Sequence, residues 1–196
     1  MKPLLVGITG GIGAGKSVVC KIFMTLGVPI YDADSRAKWL MKNDESLKQR
    51  IQELFGPESF LNNELDREFI GKKAFHNPQL LNELNGLVHP VVAQDFKTFT
   101  EQHAAVNYVI KEAALLIETG SYTSLDHLIL VTAPLEVRLD RVKKRDTHRT
   151  RQDIEAIISK QLSDDEKIPL SDTIIVNDNR TLLIPQVLKL HEQFNQ

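Results

Sequence analysis

Cysteine occurs once in the 196 residues, at Cys20, so no intrachain disulfide can form. An excess of one charge is missing as well: 24 Lys and Arg stand against 26 Asp and Glu, a formal net charge of −2. A general nucleic-acid binder would be strongly basic overall, so that class is set aside. No apolar stretch approaches the roughly 20 residues needed to span a bilayer. The apolar run after Lys2 is only about five residues long before the glycines begin, too short for a signal peptide. These absences lead to the expectation of a soluble, cytoplasmic protein that uses neither membrane nor nucleic acid. Hydrophobic residues make up 42% of the chain, enough at this length for one sizeable core with small appended elements.

Glycine is sparse along most of the chain, yet five of the ten fall between Gly7 and Gly15. Residues 10–17 read Gly10-Gly11-Ile12-Gly13-Ala14-Gly15-Lys16-Ser17, the phosphate-binding loop pattern G-x-x-x-x-G-K-[ST]. Directly before it, Leu4-Leu5-Val6-Gly7-Ile8-Thr9 is short enough for a buried strand. Behind it, Val18, Val19, Ile22, Phe23 and Leu26 recur at helical spacing, and Gly27 can stop that helix. Strand, glycine loop and helix together turn a text match into a physical site. The glycines leave room for phosphate oxygens against bare N–H groups, and the helix adds its positive N-terminal end. Lys16 can reach the β- and γ-phosphates, and the Ser17 hydroxyl can ligate Mg²⁺. The chain is therefore expected to bind a nucleoside triphosphate. Cys20, inside the following helix, reads as a small buried hydrophobe.

Further strands are expected at 28–31, 107–111, 128–133 and 173–176, the last running into the turn-rich Asn177-Asp178-Asn179. Helical patterns separate most of them, which implies βαβ units and an α/β fold with a parallel sheet covered on both faces. The gap 33–106 is too long for one crossover and reads as a helical insertion forming a second lobe. Its amphipathic stretches carry Leu47, Ile51, Leu54 and Phe55, then Leu80, Leu81, Leu84, Leu87 and Val88. Residues 56–63 read as a surface loop, and Pro90 is expected to end the helix before it at His89. Between 138 and 151 seven of fourteen residues are Arg or Lys, with Arg138, Arg141 and Arg145 on one helical face. A solvated helix would explain them, but in a triphosphate binder guanidinium groups suit the grip on a phosphoryl group in flight.

Three acidic residues and a histidine are candidates for chemistry. Asp32 and Asp34, at i and i+2 on an extended segment, would point to one side at the strand ends, where a parallel sheet opens its crevice. Either could accept a proton from an attacking hydroxyl, and Asp34 also stands where a helix N-cap would. Glu112 ends the third strand, as a residue positioning Mg²⁺ or its waters would, and a strand-end salt bridge is the other reading. His89 can cap its helix or contact substrate. Glu118 reads as a support of local structure, and the remaining histidines lack metal-ligand spacing.

Taken in order, these segments resemble the dephospho-CoA kinase family. The carriers are Gly7-Ile8-Thr9 with the loop to Ser17, Asp32-Ala33-Asp34, Leu65-Asp66-Arg67, Val88-His89-Pro90, Leu115-Leu116-Ile117-Glu118, Arg141-Val142-Lys143-Lys144-Arg145, Gln161 and Asn177. The resemblance implies a P-loop NTPase core with a five-stranded parallel sheet (1–32, 107–137, 166–196), a helical CoA-binding domain (33–106) and a lid (138–165). It implies an ATP-dependent, Mg²⁺-using kinase that phosphorylates the ribose 3′-hydroxyl of dephospho-CoA, the last step of coenzyme A synthesis, and that is a monomer. By the same resemblance Asp34 is the catalytic base, Lys16 a phosphate ligand, Ser17 a Mg²⁺ ligand and Arg145 the lid arginine. Gly11, Ile12, Gly13, Ala14, Gly15, Lys16, Ser17, Val18, Arg145 and Asn177 fall to ATP; Thr9, Asp32, Asp34, His89 and Glu112 fall to the substrate side. Val18 stands where the family often has Thr, Glu112 where it has Asp, and Asn179 where Gly is common. The alternatives are a nucleoside or nucleotide kinase, or a nucleotide switch, although no Asn-Lys-x-Asp or Asp-x-x-Gly motif is present.

Overall fold

The computed structural model describes residues 2–62, 64–75 and 77–196. In chain order the elements are β1 (Leu4–Thr9), α1 (Lys16–Thr25), β2 (Ile30–Asp32), α2 (Ala33–Asn43), α3 (Glu45–Phe55), β3 (Phe60–Leu61) and β4 (Glu64–Leu65). They continue as α4 (Arg67–Phe75), α5 (Pro78–Gln102), β5 (Tyr108–Glu112), β6 (His127–Thr132) and α6 (Leu135–Arg145). The last are α7 (Arg151–Ile158), α8 (Asp164–Lys167), β7 (Thr173–Val176) and α9 (Leu183–Phe194). Two compact units result: Met1–Asp32 with Thr100–Gln196, and Ala33–Phe99.

The first unit is a five-stranded parallel sheet in the order β2-β5-β1-β6-β7. Strand β1 is central, so its residues are apolar on both faces, as a doubly covered parallel strand requires. One face buries Val6 and Ile8 with Tyr108, Ile110, Ile129, Val131 and Ile175 beneath α1 (Val19, Cys20, Phe23) and α9 (Val187, Leu190, Phe194). Tyr108 anchors this layer: its ring meets Phe194 edge-on at 5.1 Å, and its hydroxyl lies 2.6 Å from His191 Nδ1. On the other face a Cβ at Gly7 would come within 2.5 Å of Leu125, so glycine there sets how closely the next layer packs. Cys20 is buried, and burial, reinforced by the Glu112 carboxylate, pushes its thiol up to about 12.

The expected strands are all present: β1 and β7 have the expected bounds, while the ends of β2, β5 and β6 are shifted. Helix α1 stops in a Schellman turn: the Val28 N–H reaches Phe23 O at 3.1 Å, the Gly27 N–H reaches Met24 O at 3.0 Å, and Gly27 has φ 83°. That turn uses Val28, so β2 begins at Ile30 instead of 28, with the Pro29 carbonyl still accepting the Ile110 N–H. Strand β2 also runs one residue further, to Asp32, after which the chain is helical from Ala33.

The second unit is helical, with Leu47, Ile51 and Phe55 forming the buried stripe of α3 behind an Asp44 cap on the Leu47 N–H. Arg36 ties α2 to α5 through two hydrogen bonds to Asp95, at 2.8 and 2.6 Å, and lies over the Trp39 ring. The stretch 56–63 is more than a surface loop: Pro57–Ser59 form a 3₁₀ turn, Ser59 is fully buried, and Phe60–Leu61 pair with Glu64–Leu65. Asn63 lies outside the described residues.

Pro90 does not end its helix, contrary to the sequence expectation, because α5 continues through it to Gln102. Leu84, Val88, Val92 and Phe96, spaced by four, are all buried, so one apolar stripe runs across the proline without a break. Burying each such side chain is worth about 1.5–3 kcal/mol, and together they outweigh the roughly 3 kcal/mol that an interior proline costs. Gly86, at the i−4 position whose carbonyl the ring crowds, has open space around it. Pro90 is itself exposed. Pro90→Ala should therefore stabilise the protein by about 1–3 kcal/mol. A urea titration reads this directly, and an unchanged or lower midpoint would contradict it.

Candidate functional site

Strands β1, β2 and β5 end side by side. Asp32 is the register partner of Glu112, and Glu112 that of Ile8, one residue before Thr9. Partners on neighbouring parallel strands point to the same side, about 5 Å apart. Glu112, Lys16 and Asp32 all act electrostatically on the thiol of Cys20, within α1. Lys16 Nζ donates to Gly10 O at 3.0 Å and lies 3.9 Å from Glu112 Oε1, so the cation spans the loop toward the carboxylate. Thr9 is fully buried, its hydroxyl donating to Ala114 O at 3.3 Å.

Between β1 and α1 the chain turns tightly, with the Ala14 N–H on Gly11 O at 3.1 Å. Gly13 (φ 80°) and Gly15 (φ 99°) take backbone conformations that a side chain would strain. A Cβ would also strike Arg138 O at 2.5 Å from Gly13, and Asn177 Nδ2 at 2.1 Å from Gly15. Gly15 caps α1, so Lys16 and Ser17 open the helix at its positive N-terminal end. Glycine backbone, helix terminus and one lysine converge on an anion-binding arrangement.

Side chains from the C-terminal half hold this loop from behind. Arg138 is buried; its Nε donates to Ile12 O at 3.0 Å and its Nη1 is 3.7 Å from Asp164. Arg141 reaches Gly13 O and Ala14 O, and its other nitrogen donates to Asn177 O at 3.0 Å and to Asn179. Asn177 Nδ2 completes the ring on Ala14 O at 2.8 Å, and Gln161 Oε1 accepts the Ile12 N–H at 2.9 Å. Asn179 has φ 67°, a geometry that asparagine tolerates where glycine would be usual. The apolar side of α6 packs Leu139 and Val142 on Ile154.

The structure brings Thr9, Lys16, Asp32, Glu112, Asn177 and the glycines together in the first unit. Asp34 and His89 belong to the other, where both side chains are exposed. Asp34 lies in the first turn of α2, so its pairing with Asp32 along an extended segment does not hold, nor does its place ahead of the helix as N-cap. Glu118 supports local structure through Lys167, 2.9 Å away, and the Leu162 N–H. The arginine face also divides: Arg138 and Arg141 grip the loop, while Arg145, the last residue of α6, pairs with Asp146 at the surface. From the sequence Gln161 has no site role, and Arg138 and Arg141 share with Arg145 the expected grip on a phosphoryl group, whereas the structure sets both on the backbone of the loop. The helical spacing grouped the two arginines but could not show which way their face points, and Gln161 lies 149 residues from Ile12 with no local pattern.

Comparison with known proteins agrees with this architecture. The family model for dephospho-CoA kinase matches residues 4–182. A dephospho-CoA kinase of Bacteroides fragilis is 35% identical over 185 residues, covering 94% of this chain and 90% of that protein. A solved structure from Thermus thermophilus superposes with a TM-score of 0.87 at 30% identity, covering 98% of both chains. The dephospho-CoA kinase of Campylobacter jejuni, at 24% identity, shares the fold with a TM-score of 0.71, covering 97% of this chain and 96% of that one.

Burial separates the two arginines experimentally. Arg138→Ala removes a buried guanidinium from the partly buried Ile12 carbonyl and from Asp164 and should destabilise the protein by about 1–3 kcal/mol. Arg145→Ala removes an exposed pair and should stay within about 0.5 kcal/mol of the parent. Thermal and urea unfolding of both variants checks this; equal losses would mean that Arg138 is not a structural clamp.

Proposed function

The chain belongs to the dephospho-CoA kinase family, and from that premise we propose that it transfers the γ-phosphoryl group of ATP to the ribose 3′-hydroxyl of dephospho-CoA, giving CoA and ADP, the last step of coenzyme A synthesis. The observation that carries this reading is the family match across 4–182, which takes in the glycine loop, the helical unit and the arginine-bearing helix together. We assign the core to 1–32, 107–137 and 166–196, dephospho-CoA binding to 33–106 and a lid to 138–165. The protein acts in the cytoplasm as a monomer on two small molecules, without nucleic acid or membrane. Among the described residues no helix is long and apolar enough to cross a membrane.

The donor set suits Mg²⁺ held chiefly by phosphate oxygens. Among the described residues no cluster of three or more His, Cys, Asp or Glu could cage a metal by itself, whereas Mg²⁺ typically takes one or two protein ligands plus phosphates. Ser17 would hold it, with Glu112 positioned by its strand end toward the surrounding waters. When bound, it supplies neutralisation of charge across the β- and γ-phosphates.

The rest falls to this chain's own groups. The stretch Gly11 to Val18 wraps the triphosphate, with the amides not already held by Gln161, Gly11 O and Gly15 O as donors, Lys16 adds its charge, and Asn177 belongs to the ATP side. Thr9, Asp32, Asp34, His89 and Glu112 belong to the acceptor side. As the 3′-oxygen bonds to the γ-phosphorus, the hydroxyl proton passes to the Asp34 carboxylate and ADP leaves with the bridging oxygen. Arg145 stabilises the charge that spreads over the equatorial oxygens, and closure of the lid excludes water that would hydrolyse ATP.

Transfer from ATP should occur with dephospho-CoA and not with a panel of nucleosides and nucleotides, followed by mass spectrometry of the products. Preferential phosphorylation of any nucleotide in the panel would favour a nucleotide kinase instead. Asp34→Asn should lower turnover by about a hundredfold or more, the scale of general base catalysis, while ATP still binds. Unchanged turnover would remove Asp34 from the mechanism and leave Asp32 as the base.

A further inference from the structure

Ile12 is the third residue of the loop, and both halves of its backbone are held by side chains distant in sequence. Its N–H donates to Gln161 Oε1 at 2.9 Å, and its carbonyl accepts from Arg138 Nε at 3.0 Å. Gln161 is itself fixed from both directions. It follows α7 in a turn closed by its own N–H on Ile158 O at 3.0 Å. The next residue, Leu162, donates its N–H to Glu118 Oε1 at 3.1 Å. The same oxygen is 2.9 Å from Lys167 Nζ, a fully buried cation. Between these anchors a capping box at Ser163 and Glu166 opens α8, which carries the Asp164 that faces Arg138. A buried ion pair thus pins the backbone one residue from Gln161, leaving the Gln161 side chain in reach of one loop amide.

We propose that Gln161 is a positioning residue for the nucleotide: by accepting the Ile12 N–H it fixes the curvature of the phosphate-binding loop before ATP arrives. Four glycines in six residues give the loop wide backbone freedom, and ordering a residue costs about 1–2 kcal/mol in conformational entropy. A loop ordered in advance binds more tightly because that loss does not fall on the binding step. Gln161 suits the task because its amide oxygen accepts a hydrogen bond without placing a negative charge beside a triphosphate. Asp or Glu elsewhere could clamp equally well only at the expense of repelling the ligand. The catalytic consequence rests on the kinase reading above, but the clamp and its effect on ATP binding do not.

Three variants test it: Gln161→Met, which keeps the side-chain length and loses the acceptor, Gln161→Ala, and Gln161→Glu, which keeps an acceptor. Hydrogen exchange at the Ile12 amide, followed by NMR, should accelerate by about tenfold or more in the Met and Ala variants and stay slow in the Glu variant. The ATP dissociation constant, measured without any acceptor substrate, should rise by about tenfold in the Met and Ala variants, a shift of about 1.4 kcal/mol. Their melting temperatures should stay close to that of the parent. An Ile12 amide equally protected in the Met variant would overturn the clamp. Parent-like ATP affinity in that variant would overturn the positioning role. Failure to phosphorylate dephospho-CoA, with these binding results intact, would overturn only the kinase reading.

Discussion

A loop that keeps most of its backbone amides for phosphate has few left to hold itself in shape, here only the Ala14 N–H on Gly11 O among the described bonds, so its conformation is imposed largely from outside. In this chain the imposition comes almost entirely from residues beyond position 137. Arg138, Arg141, Gln161 and Asn177 reach the backbone of Ile12, Gly13 and Ala14 from three separate segments. The contacts divide by polarity: arginine and asparagine donate to loop carbonyls, and glutamine accepts from one loop amide. The Ile12 and Ala14 carbonyls are thereby turned toward the protein, which directs the opposite, N–H side of those two peptides, at Gly13 and Gly15, away from it.

Helix α6 shows how one element serves core and site at once. Leu139 and Val142 seat it on Ile154, while Arg138 and Arg141, on the adjacent face, extend to the loop. A guanidinium suits this work because it stays charged when buried and offers several donors in one plane. Arg138 is among the most buried residues of the helix, beside Leu139 and Val142, with its Nε on the Ile12 carbonyl. The arginine farthest along, Arg145, is the one left near solvent.

Much of the fold was legible because its signals are local. A short run rich in apolar residues, Leu4 to Thr9, directly before a glycine cluster reads as a buried strand, and the other strands are marked by short apolar runs. The misreadings arose where distant burial overrode local chemistry. Pro90 carries a strong stop signal, but the stripe from Leu84 to Phe96 outweighs it, and no window around the proline reveals that those residues are buried together. Asp34 looked like a strand-end carboxylate because nothing in Tyr31-Asp32-Ala33-Asp34 marks where extension gives way to helix. The glycines and Lys16 are legible as a loop, and the structure places them together at the turn from β1 into α1. The clamp around it was opaque because each member depends on a tertiary contact spanning more than a hundred residues.

The wiring of the loop also sets a timetable for the chain as it is made. Strand β1 pairs with β5 and β6, so the centre of the sheet cannot assemble until residue 132 has been synthesised. Asn177 lies 163 residues after Ala14. At about 5–20 residues per second, on the order of ten to thirty seconds separate the synthesis of the loop from that of its last clamp. Through that interval the helical insertion, whose unit ends at Phe99, is the part able to complete its own contacts. A growing chain therefore carries the glycine loop well before the side chains that shape it exist, and the loop acquires its full set of clamps only once Asn177 has been made.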